Sequence, residues 1–408
     1  MPHALERVVT ARRPYLLDVV DALWPSGPSA RIHRGQTVRE ATTFVAVPTA
    51  GAPRLLLPAG GALAAGAVRA YGGHASRTAR WRMRGTGALF ALGVGGLLFR
   101  DRVTVGGDSE SVLDELARVL DEPVHVALRA GPPRANRKPV LAVLDEGGRP
   151  LAFAKVGLTP LTADLLAVEA SALTGVAGKA SDLVRVPRLL HHGTWRDMAI
   201  LVQEALPVDR SGAVSDALLV RAVGEIASVQ GTAMTPWAGS QHAEHIRGRL
   251  ARMARTPEAA MLAEAVERLN ASREALPVGC WHGDWTPWNC ASLDGSVLLW
   301  DWERFDTGVP IGFDLLHHDL QSVLATDCSP ARPAALLATV ASRLSPLGLT
   351  PGQATLTGVA YLVELASRYL ADDQAAAGAS VGDVGRWLLP VLTRAVRDLP
   401  APRGEMTS

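Results

Sequence analysis

The sequence predicts an α+β protein, and three features of its texture carry that prediction. Short apolar runs separated by turn residues fill residues 124–204. Helical spacing dominates after Leu206, and one strand-rich stretch, Val278–Glu303, interrupts it. A mixed segment precedes all of this. The expected layout is an α/β segment over 1–122, a sheet unit over 123–206, a helical part over 207–400 and a tail without fixed structure over 401–408.

In the first segment, Thr43–Val47 and Arg54–Leu57 have the character of short strands and Ala62–Tyr71 that of a helix. Val112–Leu120 is a second helix, with Ser111 and Asp114 placed as a capping pair. The apolar run Gly85–Phe99 is shorter than the ~18 residues a membrane span needs. Its glycines and its flanking arginines suit a buried helix or strand pair, although an Arg-rich apolar stretch also suits a membrane surface.

The second part opens with a strand over Val124–Arg129, broken by Gly131-Pro132-Pro133. Strands follow at Pro139–Leu144 and Leu151–Val156, a helix at Ala163–Leu173, and strands at Arg188–His192 and Met198–Glu204. These compose a small antiparallel sheet with one helix against it. Helices are then expected at Ser215–Val229, His242–Met253, Pro257–Arg273, Phe313–Leu324, Pro333–Arg343, Ala360–Ala371 and Val384–Asp398.

Of the 408 residues, 48% are hydrophobic and 20% charged, which suits a globular chain with a large core and argues against a disordered one. The formal net charge of +1 conceals an asymmetry. Through Arg137 there are 18 arginines and no lysine against 11 acidic residues, a balance of +7, so the remainder carries −6. The basic segment is expected to face an anionic or peptide partner, or the acidic remainder of its own chain. No nucleic-acid-binding module surrounds these arginines, so nucleic acid is not an expected partner. Three irregularly spaced cysteines, Cys280, Cys290 and Cys328, form neither a disulfide framework nor a zinc motif and suit reduced thiols in the cytoplasm. The N-terminal residues lack the apolar core of a signal peptide.

The chemistry concentrates in Trp281-His282-Gly283-Asp284-Trp285-Thr286-Pro287-Trp288-Asn289. Its order, His-x-Asp followed five residues later by Asn, is that of a kinase catalytic loop. Phosphoryl transfer needs a carboxylate to orient the attacking hydroxyl, which fits Asp284, and oxygen ligands for Mg²⁺, which fit Asn289 and Asp301. Asp301 ends the apolar strand Val297–Trp300, and Asp294-Gly295 between the two is a hairpin signal. A two-residue turn with a regular ladder through Asn289 would pair Asn289 with Trp300 and send Asn289 and Asp301 to opposite faces. One additional loop residue or an irregular start at Asn289 is therefore expected.

His282-Gly283-Asp284 with Asn289, then Asp301-Trp302-Glu303, then Gly308–Leu315, resembles the aminoglycoside phosphotransferase and choline kinase superfamily. Trp300 stands where that family has an aliphatic residue and Val309 where it commonly has Asp; neither departure removes a catalytic group. The motif covers about Trp281–Leu315, and the resemblance in layout extends over about Val124–Leu399. It implies a protein-kinase-like two-lobed fold with an additional N-terminal segment. It also implies ATP (or GTP) as co-substrate, Mg²⁺, and a small-molecule hydroxyl as acceptor. Lys155 on the third strand of the sheet then contacts the phosphates, and Glu169 on the next helix orients it. The adenine-reading hinge falls on Gln203, Glu204 and Leu206. His282 and Asp314 are expected to hold the loop, and His317 and His318 are read as core or solvent histidines. For the acceptor, Asp306, Asp319, Glu364, Asp372 and Asp373 are candidate partners of a cationic compound. A neutral sugar, nucleoside or macrolide hydroxyl, a peptide Ser/Thr, and a nucleotide-binding pseudokinase without turnover remain alternatives.

Overall fold

The computed structural model describes residues 13–25, 30–34, 42–72, 77–106, 110–131, 133–179, 181–253, 255–376 and 380–399, so the expected tail over 401–408 lies outside the described residues. Two compact units emerge. One comprises residues 1–71, 78–131 and 138–155; the other comprises 72–77, 132–137 and 156–408.

The first unit is built on an antiparallel sheet. Its strands run in the spatial order Arg31–Arg34, Asp101–Val105, Thr42–Val47, Leu55–Pro58, His125–Ala130, Pro139–Leu144 and Pro150–Gly157. The segment read as an N-terminal extension thus contributes strands to the same sheet, with Leu55 opposite Arg129 and Leu56 opposite Leu128. Tyr71, at the end of the helix Gly61–Gly72, ties this sheet together. Its hydroxyl lies 2.7 Å from the Ala127 carbonyl and accepts from the Ala142 N–H at 2.9 Å. The helix approaches the Asp145–Gly148 turn so closely that a Cβ on Gly66 would stand 1.9 Å from the Gly148 carbonyl oxygen. The helix Val112–Leu120 starts on the expected capping box, Ser111 with Asp114. The run Gly85–Phe99 is helical over Arg77–Ala91 and Gly95–Leu98, but it is not buried throughout: Leu92, Leu97 and Leu98 face solvent.

The second unit is mainly helical and packs around the helix Pro351–Ala371, in which every residue from Leu356 to Tyr369 is buried. A helix enclosed on all sides carries no amphipathic stripe, which is why periodicity detected only its second half. Its true start carries a capping box, Thr350 with Gln353, and Pro351 in the first turn. The expected helix Val384–Asp398 is two, Val384–Trp387 and Leu389–Arg397, parted just before Pro390. Set among the helices are the strand Ala275–Trp281, which leads into the catalytic-loop motif, and the hairpin Cys290–Leu293/Ser296–Leu299 beyond it. Both faces of that hairpin are covered. Val297 and Leu299 enter the main core, while Leu298 and Trp300 pack with Val208 and Ala291. No helix among the described residues is long and apolar enough to cross a membrane.

Candidate active site

The second unit brings the two halves of the motif together. The strand Ala275–Trp281 ends in a buried turn at His282-Gly283. Gly283 has φ +84°, and a Cβ there would stand 2.0 Å from the Arg304 carbonyl oxygen, so no other residue fits. Asp314, in the first turn of the helix Phe313–Leu324, accepts from the His282 N–H at 2.7 Å and the Gly283 N–H at 3.0 Å. Burial pushes its carboxyl up to about 7, against those two hydrogen bonds. Arg368, buried on the central helix, donates to the Gly283 carbonyl at 2.6 Å.

His282 is fully buried, and burial pushes its pKa down to about 4, so it is neutral. Its Nδ1 accepts from the Asp284 N–H at 3.2 Å, which leaves Nε2–H to donate to the Trp300 carbonyl at 3.1 Å. It joins the loop to the end of the hairpin, as expected of a structural histidine.

Asp284 is held from two sides. Asn289 Nδ2 donates to its Oδ2 and to its main-chain carbonyl, both at 2.9 Å. His317 Nε2 lies 3.1 Å from its Oδ1. Burial raises the Asp284 pKa, but the His317 hydrogen bond and the Arg368 charge more than offset that, and the carboxyl lies below its ordinary value. The side chain keeps 25% exposure, enough to meet a ligand. His317 corrects the reading of that residue as a plain core or solvent histidine. Its Nδ1 is 3.0 Å from the Tyr361 hydroxyl, and burial holds its pKa below the usual value. A neutral ring beside a carboxylate must donate through Nε2, so Tyr361 donates to Nδ1. Sequence reasoning missed this pair because His317 lies 33 residues from Asp284; its place one turn beyond Asp314 on a helix was the available signal.

The hairpin turn at Asp294-Gly295 has two residues, with φ +52° and +80°, and the ladder pairs Cys290 with Leu299. No additional loop residue exists. The other expected device is present in half of the pairing: the Asn289 carbonyl still accepts from the Trp300 N–H at 3.1 Å, but the Asn289 N–H turns away to the Thr286 carbonyl at 3.0 Å. Asp301 has φ +71°, a left-handed conformation that costs a non-glycine residue on the order of 1 kcal/mol. That turn breaks the strand's alternation and re-aims the Asp301 side chain.

Asp301 stands with Glu169 and Glu303: one carboxylate oxygen from each lies within 4.8 Å of the others. Glu169 is fully buried and Glu303 nearly so, and Glu169 Oε1 accepts from the Trp302 N–H at 3.3 Å. Asn136 Nδ2 donates to Glu303 Oε1 at 2.8 Å. Three hard oxygen donors so close, two of them out of water, suit a divalent cation such as Mg²⁺. The sequence allows Glu303 either as a group positioning solvent or metal or as a solvated surface residue, and its burial removes the second reading; Glu169 was expected to orient Lys155.

Lys155 lies in the first unit, buried on the strand Pro150–Gly157 and opposite Val140. Gln203, Glu204 and Leu206 lie in the second. Gln203 is buried at an irregularity of the Leu189–Trp195/Met198–Glu204 hairpin, and among the described residues its Oε1 has no hydrogen-bond partner. The Glu204 N–H donates to the Arg188 carbonyl at 2.9 Å, and Leu206 packs on the Trp300 cluster. The acids named for a cationic acceptor are largely matched within the chain. Asp319 pairs with Arg343 at 2.6 Å, Asp372 with Arg304, and Glu364 with Arg249.

No protein-family model matches the sequence, and no curated protein does. The structure is similar to several solved ones. A thermostable mutant of aminoglycoside phosphotransferase APH(4)-Ia, in a ternary complex with ADP and hygromycin B, is 14% identical with TM-score 0.46, covering 70% of this chain and 98% of that one. A candidate fructosamine-3-kinase of Thermobifida fusca YX-ER1 is 18% identical with TM-score 0.42, covering 71% and 99%. An aminoglycoside 2'-phosphotransferase-IIIa mutant in its GDP complex is 14% identical with TM-score 0.38, covering 64% and 88%. These are similarities of fold.

Proposed function

We propose that the chain is a Mg²⁺-dependent phosphotransferase that moves the γ-phosphoryl of ATP or GTP to a hydroxyl of a small molecule. The observation that carries this reading is the ionised, part-exposed Asp284, fixed by His317 and Asn289, in the same unit as the Glu169–Asp301–Glu303 oxygen cluster. Asp284 orients the acceptor hydroxyl and receives its proton as the acceptor oxygen bonds the γ-phosphorus. The bond from that phosphorus to the bridging oxygen breaks, and the nucleoside diphosphate leaves. Asp301 and Glu303 would hold the metal, with the Asn289 amide oxygen as a third ligand; when bound, Mg²⁺ neutralises phosphate charge. Among the described residues no hydrogen bond reaches that amide oxygen, whose Nδ2 is committed to Asp284. Lys155 is assigned to the phosphates and Gln203, Glu204 and Leu206 to the base, on motif order. The three free thiols suit a reducing cytosol.

A mass-spectrometric screen of hydroxyl compounds with Mg-ATP and Mg-GTP tests the reading. Gain of one phosphoryl group by an acceptor is expected. Nucleotide binding without transfer to any acceptor would instead make the chain a regulatory pseudokinase.

A further inference from the structure

A cavity of about 460 Å³ opens in the second unit against Glu303 of the oxygen cluster, and it falls within the size range of small-ligand sites. Trp281 and Arg368, which bracket the catalytic turn, share its wall. One side is the helix Gln241–Arg252. Its His242, His245, Arg249 and Arg252 follow at intervals of three, four and three residues, so they form one basic stripe facing the cavity.

The carboxylates across from this stripe are already matched. Glu364 pairs with Arg249 and lies 3.3 Å from His242 Nε2. Asp306 lies 3.0 Å from His245 Nδ1 and 3.8 Å from His242 Nδ1. Burial opposes charging of His242, but Glu364 and Asp306 more than offset it and hold its pKa above the ordinary value. Glu244, off the stripe, is within 3.9 Å of Arg247. Among the described residues that line the cavity, a polycation would meet no unmatched carboxylate outside the oxygen cluster. Arg252, by contrast, is exposed and carries no ion pair among the described residues.

We infer that the acceptor is a hydroxyl compound bearing an anionic group, a phosphate or a carboxylate, which docks on Arg252, the cation of the stripe that carries no ion pair among the described residues, while its hydroxyl reaches towards Asp284. Guanidinium groups bind either anion through paired N–H donors, so the shared chemistry is a planar or tetrahedral oxyanion. This inference rests on the phosphotransferase reading and narrows its substrate.

The test runs the full chain with Mg-ATP on matched hexose derivatives: glucose, glucosamine, glucuronate and glucose 6-phosphate, with an aminoglycoside as the polycation. Phosphoryl transfer is expected on the phosphate or the carboxylate arm, and which of the two reacts identifies the oxyanion. In the reactive arm Arg252→Glu should raise the acceptor KM at least tenfold while the nucleotide Kd, read by calorimetry, moves less than twofold. Transfer confined to neutral or cationic arms, or no transfer on either anionic arm while Mg-ATP still binds, overturns the inference and leaves the phosphotransferase reading standing. Absence of Mg-nucleotide binding would instead remove the reading beneath it. An unchanged KM in Arg252→Glu likewise overturns the assignment of Arg252.

Discussion

His317 Nε2 donates to Asp284 Oδ1 across 3.1 Å, and the Tyr361 hydroxyl on the other side of the ring fixes which nitrogen carries the proton. The pair makes His317 a positioning residue under the proposed reaction: it turns one carboxylate oxygen of Asp284, the proposed base. His317→Ala should lower kcat by about 10²-fold, the scale of an ångström-sized misplacement, with nucleotide Kd unchanged. His317→Asn, whose amide can still donate, should recover part of the loss. Equal loss in both variants would indicate a packing role alone.

The oxygen cluster predicts metal dependence. Asp301→Ala should raise the Mg²⁺ concentration for half-maximal activity by about ten- to a hundred-fold. Glu303→Gln, which keeps an oxygen donor and the partner of Asn136, should have a smaller effect. A magnesium titration of both variants distinguishes them from the parent, and unaltered curves would remove the cluster from the site.

Asp314 holds the turn before Asp284. Asp314→Ala strands the buried N–H groups of His282 and Gly283, at a cost on the order of 3 kcal/mol. Thermal unfolding should show a clear fall in Tm. An Asp314→Ala protein as stable as the parent would mean that the turn is held without it.

His242 links stability to pH. Burial, with Arg249, pushes its folded pKa down, but Glu364 and Asp306 more than offset this and raise it above the unfolded value. The stabilisation it contributes is therefore full below the unfolded value, about 6.5, and is lost as pH rises through the folded value. His242→Gln should flatten the decline of Tm with rising pH above that point. Glu364 and Asp306, whose values are depressed, act in the opposite window and lose their contribution only on acidification. A pH series of unfolding curves for parent and variant reads the difference.

Much of this arrangement could be read from local order. The Asp284–Asn289 spacing, the Asp294-Gly295 turn and the helix Phe313–Leu324 depend on neighbours within a few residues, and periodicity, turn chemistry and motif order report those. The His317 contact, the Glu169–Glu303 proximity and the pairing of Glu364 with Arg249 span 33, 134 and 115 residues, and tertiary packing alone creates them. Two strands of the first segment escaped for a similar reason: Arg31–Arg34 and Asp101–Val105 are polar at alternate or more positions and declare themselves only by pairing, whereas the apolar Thr42–Val47 and Leu55–Pro58 were legible.

The most direct test replaces Asp284 by Asn in the full chain and follows transfer of the γ-phosphoryl from Mg-ATP to an accepted hydroxyl compound, with nucleotide affinity measured on the same protein. Transfer should fall by about 10³-fold, with nucleotide Kd changed less than about threefold. Transfer at the parent rate by Asp284→Asn would contradict the role proposed for Asp284.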